Sequence, residues 1–224
     1  MTNENGVMDN IARWDGTNWW PMGQGISGNW GGYAPCVYDV CVGPRGDVYA
    51  AGMFTNAGGG PAYCLARWDG TNWSKVSTNE PAGYVVAITF RSNDLYVGGG
   101  FGAMGNQQCK YVARWDGTNW WSIGDGTSNG CNSECSSIAS GPDGIYVGGY
   151  YFTAAGGKPA SRIARYGHYM PPTLDCVDPI TAANAPPDGA DVVVAPVIGH
   201  PCGYPLTVTW NVDGGPAEWT NVVS

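Results

Sequence analysis

The octapeptide ARWDGTNW occurs three times without a change, at residues 12–19, 66–73 and 113–120, and a decayed copy, IARYGHY, occupies residues 163–169. The arginines of the four copies are Arg13, Arg67, Arg114 and Arg165. Their successive spacings are 54, 47 and 51 residues. A period of this length is typical of proteins in which one supersecondary unit is stacked on the next. The chain is therefore interpreted repeat by repeat.

Two further landmarks return in each repeat and show which parts have a constant length. They are the tyrosines Tyr49, Tyr96 and Tyr146 and the phenylalanines Phe54, Phe101 and Phe152. Each phenylalanine lies 13 residues before the next repeat arginine, whereas the connection from arginine to tyrosine has 36, 29 or 32 residues. Constant spacing indicates packed strands, and the variation in length is confined to one connection.

Each repeat contains two hairpin signals. In the first, an apolar segment such as YVVAITF at residues 84–90 meets the turn RSND and returns as LYVGGGF. In the second, ARW leads into Asp-Gly-Thr-Asn and leaves as WW or WS. Clusters of Gly, Asn and Asp between β-branched and aromatic runs are turn signals. Two hairpins in about 50 residues predict a four-stranded unit of the size of a propeller blade.

The predicted fold class is all-β. We expect residues 11–169 to form an incomplete β-propeller of about three four-stranded blades, because the first repeat begins at its second hairpin and the last lacks a clear final strand. Of 224 residues, 36 are Gly and 16 are Pro, while only 12% are charged. This composition excludes a helical bundle or a coiled coil. The 11 Trp and 13 Tyr residues supply enough buriable area for a folded core.

The charge and hydropathy of the chain exclude several kinds of partner. The net charge of -8, with 10 Lys and Arg residues, leaves no basic surface for nucleic acid or an anionic membrane. No apolar run approaches the roughly 18 residues that a membrane-spanning helix requires. The sequence therefore predicts no nucleic-acid partner, no membrane span and no cofactor.

The repeat pattern stops at Met170, where the composition changes. Residues 1–10 form an N-terminal segment, and residues 170–175 are interpreted as a proline-rich linker. Residues 176–224, with the alternating segment LTVTWNV, predict a partial immunoglobulin-like β-sandwich module, at about half the length that such a module needs. Because both ends look cut, we expect the chain to be a portion of a longer polypeptide.

The combination of YVGGxF, AGG and ARWDGxxW resembles the kelch-like β-propeller repeats of large secreted and surface proteins of environmental bacteria. The resemblance covers residues 11–169. It implies a propeller fold and an extracellular or cell-surface location. It implies little about a ligand.

The eight cysteines predict disulfides rather than a metal site. Their spacing fits no zinc motif, and the chain has only two histidines, His168 and His200. The variable connection is longest in the two repeats that carry Cys36/Cys41 and Cys131/Cys135, so local disulfides are predicted for these two pairs. By elimination, Cys64 pairs with Cys109 and Cys176 with Cys202.

The residues that recur in every copy are interpreted as structural, with the aspartates capping turns, the arginines packing over tryptophans and the tryptophans filling the core. They are Arg13, Trp14, Asp15, Arg67, Trp68, Asp69, Arg114, Trp115 and Asp116, with Trp19, Trp73 and Trp120 beside the turns. The alternatives are a charged binding ring and sugar-stacking platforms. Trp20, Trp30 and Trp121 do not recur in every blade and are the candidate ligand contacts. The tripeptide Arg45-Gly46-Asp47 is interpreted as an ordinary turn.

No motif in the chain indicates catalysis. It has no GxSxG, no HExxH and no grouping of Ser, His and Asp. We expect a non-catalytic extracellular or cell-surface module that acts in assembly or adhesion, with other copies of itself or flanking blades as partners, and a filament or surface-layer subunit as one form. The alternative is a glycan-binding, lectin-like propeller. An accessory domain of a secreted hydrolase is a third hypothesis.

Overall fold

The computed structural model describes residues 9–124 and 129–167, and the backbone of short strands at residues 2–3, 6–7, 210–212 and 215–217. The chain divides into two units, Met1–Gly167 and His168–Ser224. The described residues form strands, turns and loops without a helix, so the all-β prediction is confirmed. Within these residues there is accordingly no helix of the length and apolarity that crossing a membrane requires.

The strands of the first unit are numbered in chain order. They are β1 (Thr2–Asn3), β2 (Gly6–Val7), β3 (Ala12–Trp14), β4 (Trp19–Pro21), β5 (Ile26–Ser27), β6 (Cys36–Val42), β7 (Val48–Met53), β8 (Asn56–Ala57), β9 (Gly60–Pro61), β10 (Leu65–Trp68), β11 (Trp73–Lys75), β12 (Pro81–Arg91), β13 (Asp94–Met104), β14 (Gln107–Gln108), β15 (Val112–Trp115), β16 (Trp120–Ser122), β17 (Ser137–Gly141), β18 (Gly144–Gly148), β19 (Ala154–Ala155), β20 (Lys158–Pro159) and β21 (Ile163–Tyr166).

Two repeats form antiparallel sheets with four principal strands that follow each other in chain order. The first sheet has the order β6-β7-β10-β11, and the second sheet has the order β12-β13-β15-β16, with β14 added to β13. In the second sheet, Tyr96 lies opposite both Thr89 and Arg114. The landmark tyrosine and the repeat arginine are therefore cross-strand neighbours, which explains why the chain between them within one repeat has a nearly constant length.

The described part of the first unit begins and ends with incomplete repeats. The N-terminal hairpin consists of β3 and β4, which pair with Trp14 opposite Trp19 and correspond to β10 and β11 of the first sheet. The third sheet has the order β17-β18-β21, and its strands correspond to β6, β7 and β10. Within the described residues, no strand pairs with the other edge of β21.

A small third hairpin, which the sequence analysis did not predict, lies between the second and third strands of each repeat. In the first sheet's repeat it consists of β8 and β9, and β8 also pairs with β5 of the preceding repeat. Its turn residues Gly58 and Gly59 have φ angles of 60° and 80°. Positive φ at both central residues is the geometry of a type I′ turn, for which Gly-Gly is a preferred sequence. The AGG motif therefore connects consecutive repeats.

A bulge in the first strand of a sheet explains one of the paired glycines of the YVGG motif. In the first sheet the register shifts between Val37 and Asp39, and in the second sheet it shifts between Val85 and Ala87. The bulge brings a carbonyl oxygen so close to the second strand that a Cβ would overlap it. The affected glycines are Gly52 and Gly99, which face the carbonyl oxygens of Cys36 and Tyr84. In the third repeat, Gly149 lies equally close to the carbonyl oxygen of Glu134.

A non-glycine residue in the left-handed region recurs just before the third strand of every repeat. These residues are Asn10, Cys64, Tyr111 and Arg162, with φ between 59° and 67°. Backbone hydrogen bonds hold the conformation on both sides. The Tyr111 N–H donates to the carbonyl oxygen of Phe101 at 2.9 Å, and the Gly99 N–H donates to the carbonyl oxygen of Tyr111 at 3.0 Å. The same two bonds occur around Cys64 and Arg162.

Three hydrophobic clusters lie between consecutive repeats. One joins the N-terminal hairpin region to the first sheet through Ile26 and Phe54. A second includes Leu65 of the first sheet and Phe101 of the second. A third includes Val112 of the second sheet and Phe152 of the third repeat. Each repeat therefore buries its apolar side chains mainly against its neighbour, as stacked repeats do.

The second unit is described only through one hairpin, β22 (Trp210–Val212) and β23 (Gly215–Ala217), in which Trp210 lies opposite Ala217. The rest of the predicted immunoglobulin-like module, and the linker at residues 170–175, lie outside the described residues.

Candidate functional site

One end of the sheets is built from the Asp-Gly-Thr-Asn turns. The Oδ1 atom of Asp69 accepts hydrogen bonds from the N–H groups of Thr71 at 2.8 Å and Asn72 at 2.7 Å. Asp15 and Asp116 make the same pair of bonds. Because these bonds stabilise the carboxylate, the pKa of Asp69 lies below its ordinary value, and the same holds for Asp15 and Asp116.

The repeat arginines form ion pairs that sequence reasoning missed. Arg67 binds Asp47 with an N···O distance of 2.7 Å, and Arg114 binds Asp94 at 2.8 Å. Arg165 pairs with Asp143. Each aspartate lies in the turn of the first hairpin, 20, 20 and 22 residues before its arginine. This recurrent spacing between aspartate and arginine is the signal from which the ion pairs could have been predicted. Packing of an arginine over a tryptophan is also present, with the Arg114 guanidinium 5.7 Å from the Trp121 ring centre.

The Arg45-Gly46-Asp47 tripeptide is part of this turn structure. The side chain of Asp47 is 14% exposed and is held by Arg67. An adhesion motif needs its carboxylate available to a partner, whereas this one is already neutralised within the sheet.

Two of the candidate ligand contacts lie at the same end. Trp121 is 47% exposed, and its Nε1–H donates to Oδ2 of Asp116 at 2.6 Å. Trp20 is 36% exposed and donates in the same way to Asp15. Each ring therefore has a fixed orientation and an accessible face. The corresponding residue of the first sheet is Ser74, so the arrangement is absent from that repeat.

The third candidate, Trp30, lies at the opposite end of the sheets and is half-buried, which corrects the expectation that it is an exposed contact. It packs edge-on against Tyr84 at 5.6 Å between ring centres. The Tyr84 hydroxyl donates to Oε2 of Glu134 at 2.9 Å. Burial, together with this carboxylate, raises the pKa of Tyr84 to about 12. Trp30, Tyr84 and Glu134 therefore connect the second and third repeats with the loop before the first sheet.

Other aromatic side chains surround this group at the end where the first strands begin. We call Trp30, Tyr38, Tyr84 and Glu134 the aromatic cluster. Tyr38 is 51% exposed, and its hydroxyl donates to the Met53 sulfur at 3.5 Å. Tyr150 and Tyr151 follow β18 at the same end and are 73% and 82% exposed. Flat rings can stack on a sugar ring, and a carboxylate beside them can accept hydrogen bonds from the sugar hydroxyl groups.

The recurring tryptophans differ between copies. Trp120 is only 6% exposed, and Trp68, Trp73 and Trp115 are half-buried. Trp14 and Trp19, in the N-terminal hairpin, are 49% and 53% exposed. The prediction that the recurring tryptophans fill the core is therefore wrong for Trp14 and Trp19 in the part of the chain that the structure describes. The reason is that no earlier described repeat packs against this hairpin as the first sheet's repeat packs against the second.

The predicted disulfide between Cys36 and Cys41 is incompatible with the structure. Both residues belong to β6, where Cys36 lies opposite Met53 and Cys41 lies opposite Tyr49. Five residues of strand span roughly 16 Å, whereas the Cα atoms of a disulfide are at most about 7 Å apart. Proximity in sequence misled the prediction because a strand separates neighbours that a turn would bring together.

The other described cysteines are thiols in buried positions. The Sγ atoms of Cys131 and Cys135 are 2.8 Å apart, and the pKa of Cys131 is lowered by the hydrogen bond from Cys135. Cys64 and Cys109 belong to one hydrophobic cluster, and burial raises the pKa of each thiol to about 11. Pairing of Cys64 with Cys109 stays a prediction. Cys176 and Cys202 lie outside the described residues.

Within residues 9–124 and 129–167, no three His, Cys, Asp or Glu side chains are grouped closely enough to hold a metal ion. Comparisons with known proteins add no further assignment: no family model, no curated protein and no solved structure matches this chain.

Proposed function

We propose that the chain is a non-catalytic, extracellular or cell-surface module of kelch-like β-propeller repeats that acts in assembly or adhesion. The observation that carries the proposal is the pair of repeats that are incomplete within the described residues. The N-terminal hairpin supplies the last two strands of a repeat, and the third sheet supplies the first three.

Both incomplete repeats present features that promote association. Ile163 at the edge strand β21 is 66% exposed, and Trp14 and Trp19 of the N-terminal hairpin are about half exposed. Exposed apolar surface and an open strand edge favour pairing with another chain or with flanking repeats.

The extracellular location is supported by the cysteines. Eight cysteines in 224 residues, with the Cys131 and Cys135 sulfurs already in contact, suit an oxidising compartment. The acidic charge of -8 keeps such a surface soluble without attracting nucleic acid.

Sedimentation velocity of the full chain over a range of concentrations tests the proposal. We expect the mean sedimentation coefficient to rise between about 1 and 100 μM, because a contact between one end and the other can propagate. A single monomeric species over the whole range would overturn self-assembly.

A second candidate function is glycan binding, and the aromatic cluster favours it. Binding of the full chain to an array of glycans, followed by titration calorimetry with a positive glycan, tests this function. We expect Tyr38→Ala to abolish binding, because Tyr38 is the exposed ring of the cluster. Tyr63→Ala is the matched control, since Tyr63 is also an exposed tyrosine, at 42%, but is not part of the cluster. The glycan-binding function would be rejected if no glycan on the array bound, or if both variants lost the same amount of affinity.

A further inference from the structure

Glu134 of the aromatic cluster is a half-buried acidic residue that is paired with no lysine or arginine. All ten Lys and Arg residues of the chain lie in the part that the structure describes. The ion pairs that they form join the repeat arginines to the aspartates of the first-hairpin turns, and none of these pairs involves Glu134. A carboxylate that is partly removed from water is stabilised by a nearby positive charge. The basic side chains of the chain do not supply that charge.

The Glu134 carboxylate is held in place by a single side-chain hydrogen bond within the described residues. Its Oε2 atom accepts the Tyr84 hydroxyl proton at 2.9 Å. An ionised carboxylate has about four positions at which it can accept a hydrogen bond. The bond from Tyr84 therefore fixes the orientation of the group and leaves the Oε1 atom for a donor from a ligand.

The neighbours of this carboxylate are aromatic rings on which its charge acts. Burial and then the Glu134 carboxylate raise the pKa of Tyr84 to about 12, and Tyr38 adds to this shift. A hydrogen bond with Cys36 is the main cause that raises the pKa of Tyr38, and the Glu134 carboxylate contributes as well. Both hydroxyl groups are thus kept neutral beside one negative charge. A positive charge in this position is favoured by the carboxylate and by the faces of the rings.

The cluster uses one repeat position that carries a different chemical group in each copy. Cys36, Tyr84 and Glu134 are the residues whose carbonyl oxygens face the glycine three positions after each landmark tyrosine. Their backbones have one role in all three repeats, whereas their side chains are a thiol, a phenol and a carboxylic acid. Maintaining the fold does not require these different side chains, so they are available for a function at this end of the sheets.

We propose that the aromatic cluster binds a sugar that carries a protonated amine, as a glucosamine unit does. The ammonium group lies at Oε1 of Glu134, and the sugar ring lies against the exposed ring of Tyr38. The proposal rests on the glycan-binding function and names its ligand class. A hydrogen bond between an ammonium group and a carboxylate is stronger than one between neutral groups. An N-acetylated sugar of the same kind has the same ring but lacks the charge.

Two short oligosaccharides that differ only in N-acetylation test the proposal on the wild-type chain. One is an oligomer of glucosamine, and the other is the oligomer of N-acetylglucosamine of equal length. Titration calorimetry at about pH 6 measures both affinities, because a sugar amine is protonated there. We expect the glucosamine oligomer to bind about tenfold more tightly or better, since only this oligomer places a positive charge at Glu134.

A substitution that removes the charge but keeps the hydrogen bond identifies the group responsible. Glu134→Gln retains an oxygen that can accept the Tyr84 hydroxyl proton. We expect it to lower the affinity for the glucosamine oligomer about tenfold and to leave the affinity for the N-acetylated oligomer unchanged. Asp69→Asn is the matched control, because it removes an equal charge from the opposite end of the sheets and should change neither affinity. Near-UV circular dichroism checks that both variants are folded.

The outcomes separate the ligand class from the glycan-binding function. If both oligomers bind the wild type equally, or if only other glycans of the array bind, the proposed ligand class is wrong and glycan binding stands. If Asp69→Asn weakens binding as much as Glu134→Gln does, the net charge of -8 attracts the glucosamine oligomer, and the site at Glu134 is overturned. If neither oligomer and no glycan of the array binds, the glycan-binding function fails and the ligand class fails with it.

Discussion

At the scale of single residues, the repeat is held by carboxylates that accept backbone hydrogen bonds. Asp69 and Asp116 each accept two N–H groups in their turns. Their pKa values lie below the ordinary value of 3.8. The carboxylate form therefore contributes stability at and above pH 3.8, and this contribution is lost as the pH falls below that value.

This dependence can be measured with variants that keep the acceptor but do not titrate. The double variant Asp69→Asn/Asp116→Asn retains an oxygen that can accept the turn N–H groups. We expect the urea midpoint of the wild type to fall more steeply than that of the variant between about pH 4 and pH 2. Parallel curves would show that the turn carboxylates do not contribute to acid stability.

The contact between Cys131 and Cys135 leads to a second prediction. Under air oxidation, peptide mapping without reductant should find these two residues joined and should not find Cys36 joined to Cys41. The short loop that the bond closes should stabilise the chain by about 2 kcal/mol relative to Cys131→Ser/Cys135→Ser. A disulfide-linked peptide containing Cys36 and Cys41 would contradict the extended conformation of β6, which holds these two residues too far apart to bond.

At the scale of elements, the bulge in the first strand requires a glycine opposite it. A Cβ at Gly99 would overlap the carbonyl oxygen of Tyr84, whereas a Cβ at Gly102 in the same strand meets nothing within 4 Å. We expect Gly99→Ala to lower the free energy of unfolding by about 1–3 kcal/mol, as overpacking does. Gly102→Ala should change it by less than about 0.5 kcal/mol. Equal effects in urea titrations would argue against the bulge.

Adjacent tryptophans in β16 provide a second test at this scale. Trp120 is buried between the first and second sheets, and its neighbour Trp121 is 47% exposed. Trp120→Ala should cost about 3–5 kcal/mol, because it leaves a cavity between the two sheets. Trp121→Ala should cost about 1 kcal/mol or less. Chemical denaturation of both variants measures the difference, and similar losses would mean that the junction is not the main site of packing.

The elements differ in how far the sequence predicted them. The four-stranded order was predictable because turn residues and landmark tyrosines recur at constant spacing. The small AGG hairpin was not, because two-residue strands such as β8 have no recognisable periodicity. The aromatic cluster was also missed, apart from Trp30. Tyr84 and Glu134 occupy the same position in different repeats, and only the stacking of repeats brings them within 2.9 Å.

At the scale of the whole molecule, acidic charge would oppose the association that we propose. Each copy carries a net charge of -8, and the isoelectric point is about 4.5. Salt screens repulsion between like-charged copies, and protonation reduces it. We expect light scattering at fixed concentration to rise from 20 to 300 mM NaCl at pH 8, and from pH 8 to pH 5 at constant salt. Scattering that decreases with salt would indicate that attraction between charges drives the association.

The left-handed residue before each third strand has a consequence for how freely the chain can change. Backbone hydrogen bonds maintain this conformation at Cys64, Tyr111 and Arg162, which are three unrelated side chains. The position is thus chemically permissive while its backbone stays constant. Arg162, which is exposed, is therefore a suitable attachment point for a dye or a tether that must not disturb the sheets. The same backbone conformation therefore holds side chains as different as the buried Cys64 and the exposed Arg162.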